Sequence, residues 1–176
     1  MEIEIKFRVG GFEDIRRKIE GLGGASFIRE EVQEDLYFSL PLPNLLRVRR
    51  ITNLGKAFLT YKSIQDPGRN EEFDELEVEV SDFETTVEIL KRLGFEEDVW
   101  IRKRRLVYRL DDVTFELSDV EGLGAFLDIE VMSDDVEYAK RRIWKIAEKL
   151  GLSEKDVEPR LYQELLKEKI QTSSSR

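Results

Sequence analysis

Glu2-Ile3-Glu4-Ile5-Lys6-Phe7 opens the chain with strict alternation of charged and apolar side chains. On a strand, successive side chains point to opposite faces, so Glu2, Glu4 and Lys6 line one face and Ile3, Ile5 and Phe7 the other. The pattern returns in at least four later segments, and there the charges are sorted by strand. Arg47 and Arg49 share one strand face, Lys62 lies on the next strand, and Lys103 and Arg105 share another. Glu75, Glu77 and Glu79 form an acidic strand, and Asp128 with Glu130, after Asp119, form a second. Like charges two residues apart on a strand lie ~7 Å from each other and repel unless water, opposite charge or a cation offsets them. One such strand alone normally turns its charges to solvent. A surface shaped for solubility mixes signs along each strand; sorting by strand points instead to a charged interior that holds a metal and a polyphosphate.

Composition narrows the chemistry. At 176 residues, 40% hydrophobic and 38% charged, the chain is long enough for one domain with a real core. Its 29 basic and 38 acidic residues leave a formal charge of −9, which argues against general binding to nucleic acid or membrane surfaces while leaving room for a local basic pocket. The absence of cysteine removes disulfides, thiolate nucleophiles and zinc–sulfur sites, and the absence of histidine removes the usual general base. Any metal must therefore be held mainly by oxygen, which favours Mg²⁺ or Mn²⁺. No apolar run approaches the roughly 18 residues of a membrane span and the start is not signal-like, so a cytoplasmic location is expected. Abundant Glu, Lys and Arg with little Asn, Gln and Met fits a thermophilic source.

The periodicities predict strands at about 2–9, 32–38, 45–52, 56–64, 71–80, 99–109, 112–118 and 125–132. Helices are expected after Gly10-Gly11, from a capping box at Ser81-Asp82-Phe83-Glu84, from a cap at Ser133, and from Arg160 to Ile170. The expected fold is α+β and mainly antiparallel, a single domain over 1–170 followed by a polar, disordered tail over 171–176. Eight strands can close into a barrel. The apolar faces, including Leu76, Val78 and Val80, would then pack under helices and the charged faces would look inward.

A pocket with one basic and one acidic wall suits a triphosphate. Arginine offers planar two-point contacts, lysine a compact charge, and a divalent cation needs two or more carboxylates. Phosphoryl displacement asks of the protein mainly positioning and charge neutralisation, and no P-loop is present in this chain. Tyr37, Phe38 and Tyr61 read as packing residues rather than a purine platform.

Glu2-Ile3-Glu4-Ile5-Lys6 resembles the ExExK signature of the CYTH superfamily, the triphosphate tunnel metalloenzymes. Gln33 to Phe38 (QEDLYF), Leu46 to Arg49 (LRVR), Leu59 to Lys62 (LTYK) and Val120 to Glu130 (VEGLGAFLDIE) resemble its later blocks in order. Leu161 to Leu166 (LYQELL) is similar to a C-terminal block of the class IV adenylyl cyclase branch, which stands beside the thiamine triphosphatase-like enzymes. The resemblance spans almost the whole chain. It implies an eight-stranded tunnel with a charged interior and helices outside, and a triphosphate or nucleotide as small-molecule partner, with a divalent metal. By motif position, Glu2, Glu4, Asp119, Asp128 and Glu130, with Glu75 and Glu77, would lie on the metal side. Lys6, Arg47, Arg49, Lys62, Lys103, Arg105 and Arg160 would hold phosphates. Glu4, Asp119 and Lys62 would be catalytic.

Two reactions fit these residues. A class IV adenylyl cyclase would convert ATP to cyclic AMP and pyrophosphate. A triphosphatase would hydrolyse thiamine triphosphate, inorganic triphosphate or a nucleoside triphosphate. A third reading is a non-catalytic polyphosphate- or nucleotide-binding module, which would have no need to keep Glu2, Glu4, Asp119 and Glu130. Either a monomer or a homodimer fits the composition.

Overall fold

The alternation at the N-terminus becomes β1 (Glu2–Arg8), whose apolar residues Ile3, Ile5 and Phe7 are fully buried. The computed structural model describes residues 1–174. After β1 come α1 (Phe12–Glu20), β2 (Ser26–Phe38), β3 (Asn44–Ile51), β4 (Lys56–Ile64), β5 (Glu72–Val80) and α2 (Phe83–Arg92). The second half holds β6 (Glu97–Leu110), β7 (Val113–Val120), β8 (Gly124–Met132), α3 (Val136–Lys149) and α4 (Tyr162–Ser174). The eight strands close into an antiparallel barrel in the order β1-β5-β4-β3-β2-β6-β7-β8.

The helices decide which face of each strand is dry. Ile15 and Ile19 of α1 and Ala139, Ile143, Ile146 and Ala147 of α3 form one core with Ile3, Ile5, Phe7, Val113, Phe115, Leu117, Leu127, Ile129 and Val131. Phe83 and Leu90 of α2 cover Leu46, Val48 and Ala57 on the opposite side. With these faces packed outward against helices, the alternating charged residues turn into the barrel. Helix α2 reaches Val80 but not the rest of β5, so Leu76 (67% exposed) and Val78 (56% exposed) stay in solvent rather than under a helix.

Several boundaries differ from the sequence expectation. β2 begins at Ser26, six residues early, because it pairs with the long β6 through a register shift between Phe27 and Arg29. Asp82 rather than Ser81 caps α2, accepting from the Glu84 amide at 3.3 Å. Asp135 rather than Ser133 caps α3, accepting from the Tyr138 amide at 2.9 Å. In both, a carboxylate nearer the helix meets the orphan amides. α4 runs to Ser174, so the expected tail from Gln171 starts as helix, and residues 175–176 lie outside the described residues. Among the described residues no helix is long and apolar enough to cross a membrane.

Candidate active site in the barrel

The barrel encloses a cavity of about 630 Å³ whose lining is mostly charged, with apolar and aromatic side chains such as Leu54, Phe58, Phe73, Met132 and Tyr162 among it. Glu116 (β7), Asp128 and Glu130 (β8), Glu2 and Glu4 (β1) and Glu75 and Glu77 (β5) line it from four consecutive strands. Lys62 (β4), Arg47 and Arg49 (β3) and Lys103 and Arg105 (β6) line it from the other side of the closed sheet. The sorting of charge by strand therefore becomes two half-walls, one acidic and one basic. Lys6, a cation on the acidic half, and Glu31 of β2, a carboxylate on the basic half, are exceptions.

Fixed partners hold the basic wall in place. Arg49 donates from Nε and Nη2 to the two oxygens of Asp35 at 2.7 and 2.8 Å, and Lys103 Nζ reaches the same carboxylate at 2.6 Å. Burial would push the Asp35 carboxyl up, but Arg49 and Lys103 outweigh it and hold it well below the usual carboxylate range. Arg105 donates to Ser118 Oγ at 2.9 Å and to Glu116 Oε2 at 2.8 Å. Arg47 donates to the Tyr37 hydroxyl at 3.4 Å and lies 3.6 Å from Glu77, which also accepts from Thr60 at 2.7 Å. The Arg47 Nε is buried without a partner among the described residues. A buried unpaired donor is costly, and a phosphate oxygen is the partner that suits it.

On the acidic wall, one oxygen each from Glu2, Glu4 and Glu130 lies within 4.8 Å of the others. Burial opposes the charge on Glu2, but Lys62, 2.8 Å away, brings that carboxyl down to about 2. Burial and the neighbouring carboxylates push Glu4 up to about 8 and Glu130 up to about 10. Three converging carboxyl oxygens whose full ionisation repulsion and burial oppose fit a hard divalent cation, which would offset that charge. Glu75, raised to about 8 by burial and a hydrogen bond with Glu2, lies beside this cluster, 3.8 Å from Lys62. Asp128 faces Arg105 at 3.8 Å and accepts from the Tyr162 hydroxyl at 3.2 Å.

Two expected site residues lie elsewhere. Asp119 shares the parity of Phe115 and Leu117 on β7, so it sits on the outer face, exposed, beside Arg104 and Ala125. Glu116, on the opposite parity, is the β7 carboxylate inside. The Arg160 guanidinium is drawn outside by Glu158 at 2.8 Å and Glu168 at 2.6 Å; only its backbone carbonyl serves the site, accepting from Lys6 Nζ at 2.5 Å. Lys6, Arg47, Arg49, Lys62, Lys103, Arg105, Glu2, Glu4, Glu75, Glu77, Asp128 and Glu130 all line the cavity. Sequence reasoning missed Glu116, Asp35 and Tyr162 as site residues. The first was readable from the Thr114-Phe115-Glu116-Leu117-Ser118 alternation.

Glu158 ties the segment before α4 to β1. Its amide donates to the Lys6 carbonyl at 2.8 Å, and its carboxylate pairs with Arg8 at 3.0 Å and Arg160 at 2.8 Å. Burial opposes these pairs, but the Arg160 and Arg8 hydrogen bonds prevail and bring it down to about 2. A depressed carboxyl stabilises the fold above its unfolded value, 4.5, and that contribution disappears as pH falls toward 2. Thermal melts should therefore lose more stability between pH 4.5 and 2 in the wild type than in Glu158→Gln. Parallel curves would show that the pair does not act in folding.

Comparison with known proteins agrees with this architecture. A solved protein from Pyrococcus horikoshii superimposes with a TM-score of 0.91 at 59% identity, covering 94% of this chain and 99% of that one. A Methanocaldococcus jannaschii protein, provisionally named an adenylate cyclase, is 31% identical across 94% of this chain and 98% of its own length. A Hippeastrum protein first assigned as an adenylyl cyclase and described as having a dominant triphosphatase activity shares the fold at a TM-score of 0.65 and 21% identity, with 91% of each chain covered. The CYTH domain model matches residues 1–162, nearly the whole of the barrel and its helices, and the chain belongs to the CYTH domain family.

Proposed function

We propose that this protein is a divalent-metal-dependent enzyme that converts ATP to cyclic AMP and pyrophosphate. Members of its family act on triphosphates with a metal ion. The observation that carries the reading is the pair of facing half-walls, with Glu2, Glu4 and Glu130 converging on the acidic one. Arg47, Arg49, Lys62, Lys103 and Arg105 hold the polyphosphate. Asp35 and Glu116 keep Arg49, Lys103 and Arg105 in fixed positions, so little reorganisation accompanies binding. Glu2, Glu4 and Glu130 hold Mg²⁺ or Mn²⁺. Bound there, the cation supplies charge neutralisation on phosphate oxygens and lowers the pKa of an oxygen nucleophile.

The cavity's exposed lining residues are Leu54 and Met132 together with the charged Arg29, Lys56 and Glu77, and Phe58 is half-buried. The apolar side chains of this mixed rim give the organic end of a nucleotide somewhere to rest, which inorganic triphosphate does not need. In the reaction, the ribose 3′-hydroxyl oxygen attacks the α-phosphorus and forms the cyclic ester bond. The bond from that phosphorus to the bridging oxygen breaks, pyrophosphate leaves, and the hydroxyl proton passes to water. The names of full-length relatives favour cyclisation. Hydrolysis of the terminal phosphate is the second reading, motivated by the activity described for the Hippeastrum protein.

Product analysis separates them. With Mg²⁺ or Mn²⁺ and ATP, GTP, thiamine triphosphate or inorganic triphosphate, assayed hot and at room temperature, cyclic AMP and pyrophosphate are expected from ATP. Orthophosphate without a cyclic product would replace cyclisation by hydrolysis. Tight binding without turnover would leave a binding module.

A further inference from the structure

One end of the barrel is stoppered by Leu161 and the first turn of α4, where Tyr162 and Leu165 are buried in one cluster. Leu161 shares a buried cluster with Ile64 (β4), Phe73 (β5) and Leu45 (β3). Tyr162 shares one with Tyr37 (β2), Ile101 (β6), Val120 (β7) and Phe126 (β8). Its ring also carries the Lys6 ammonium of β1 at 4.5 Å from the centroid. Together the two clusters and the Lys6 contact draw on all eight strands, as groups lying across the lumen do. Leu161 and Tyr162 are buried, whereas Leu54 and Met132 at the rim are exposed, so the cavity opens at one end and is floored at the other.

The floor is held firmly. The Tyr162 hydroxyl donates to Asp128, its ring meets Phe126 edge-on at 5.2 Å, and Lys103 lies 5.6 Å from the centroid. The preceding segment is stitched to β1 by the Phe7–Val157 bridge and the Glu158 amide. Lys6 and Lys103 therefore stand beside the ring as cations at the blind end. Along β1, Lys6 and Glu4 are separated by roughly 7 Å, the rise of two residues. A polyphosphate entering with its organic end left at the rim, beside Leu54 and Met132, brings its terminal phosphate against Lys6, Lys103 and the Tyr162 ring.

We propose that Tyr162 is a length gauge, fixing how many linked phosphates fit between the rim and the floor and therefore which phosphorus lies beside Glu2, Glu4 and Glu130. This role rests on the triphosphate reading above. It also bears on the reaction, since a terminal phosphate seated on the floor leaves the inner phosphates nearer the carboxylate cluster.

The test is calorimetric binding of ATP and adenosine 5′-tetraphosphate, at fixed Mg²⁺, to wild type, Tyr162→Phe, Tyr162→Leu and Tyr162→Ala. Wild type and Tyr162→Phe should prefer ATP. The Leu and Ala variants, which lose the ring, should shift the preference toward the tetraphosphate by about tenfold, the scale of one charge-assisted hydrogen bond regained at the floor. Should Tyr162→Ala fail to fold, Tyr162→Leu decides. An unchanged preference in the ring-less variants overturns the gauge, as does loss of the preference in Tyr162→Phe. Wild type binding both nucleotides equally overturns the gauge and leaves the triphosphate site standing. Wild type binding neither overturns the site reading and the gauge together.

Discussion

Replacing Glu4 by Gln is expected to cut metal-dependent turnover by at least about a hundredfold, since even partners one step removed from a metal typically cost 10–100-fold when lost. The amide keeps the shape of the side chain but removes one of three converging charges. Binding of the triphosphate without metal should persist, because the basic wall does not depend on Glu4. Stability provides an independent check. Burial and nearby carboxylates raise Glu4 to about 8 in the metal-free protein. A raised carboxyl favours the fold fully below 4.5, and that contribution is lost as pH rises through about 8. The metal-free Gln variant should therefore gain melting temperature over wild type at pH 9 and match it near pH 4. At a metal concentration a hundred times Kd, wild type should gain about 2.7 kcal/mol, and the variant far less. Unchanged turnover, or an equal metal-induced shift in both proteins, would remove Glu4 from the metal site.

Asp35→Ala should destabilise the protein by about 3–5 kcal/mol, because it strands two buried cations that share one carboxylate. Asp35 is fully buried and its partners come from strands on either side of β2, so its removal leaves two buried cations without the carboxylate they share. For a chain of this size the loss corresponds to roughly 10 °C in melting temperature. A triphosphate should restore part of it, since a polyanion can pair with the freed cations. A change below about 1 kcal/mol would mean that the pair is better solvated than its burial implies.

The first strand carries most of what was legible. Its alternation, repeated with sorted charge, implied both a barrel and a charged lumen, and twelve of the expected site residues line the cavity. Where the reading failed, local pattern met information that only packing supplies. Asp119 was placed by motif position, whereas strand parity puts Glu116 inside and Asp119 outside. Arg160 lies close to the site in sequence, but Glu158 and Glu168 hold its head group away from it. Leu76 and Val78 alternate as a covered strand would, yet no helix reaches them. Tyr162 stood in the sequence only as part of the LYQELL block; its place across the lumen follows from where the segment before α4 is tied to β1.

The central claim is that the two half-walls grip a triphosphate and a divalent cation together. Crystals grown with Mn²⁺ and a non-reactive ATP analogue test it most directly. An anomalous manganese peak is expected at Glu2, Glu4 and Glu130. Phosphates are expected against Arg47, Arg49 and Arg105, with the terminal one on Tyr162. Manganese bound elsewhere, or the analogue lying outside the barrel, would contradict the claim.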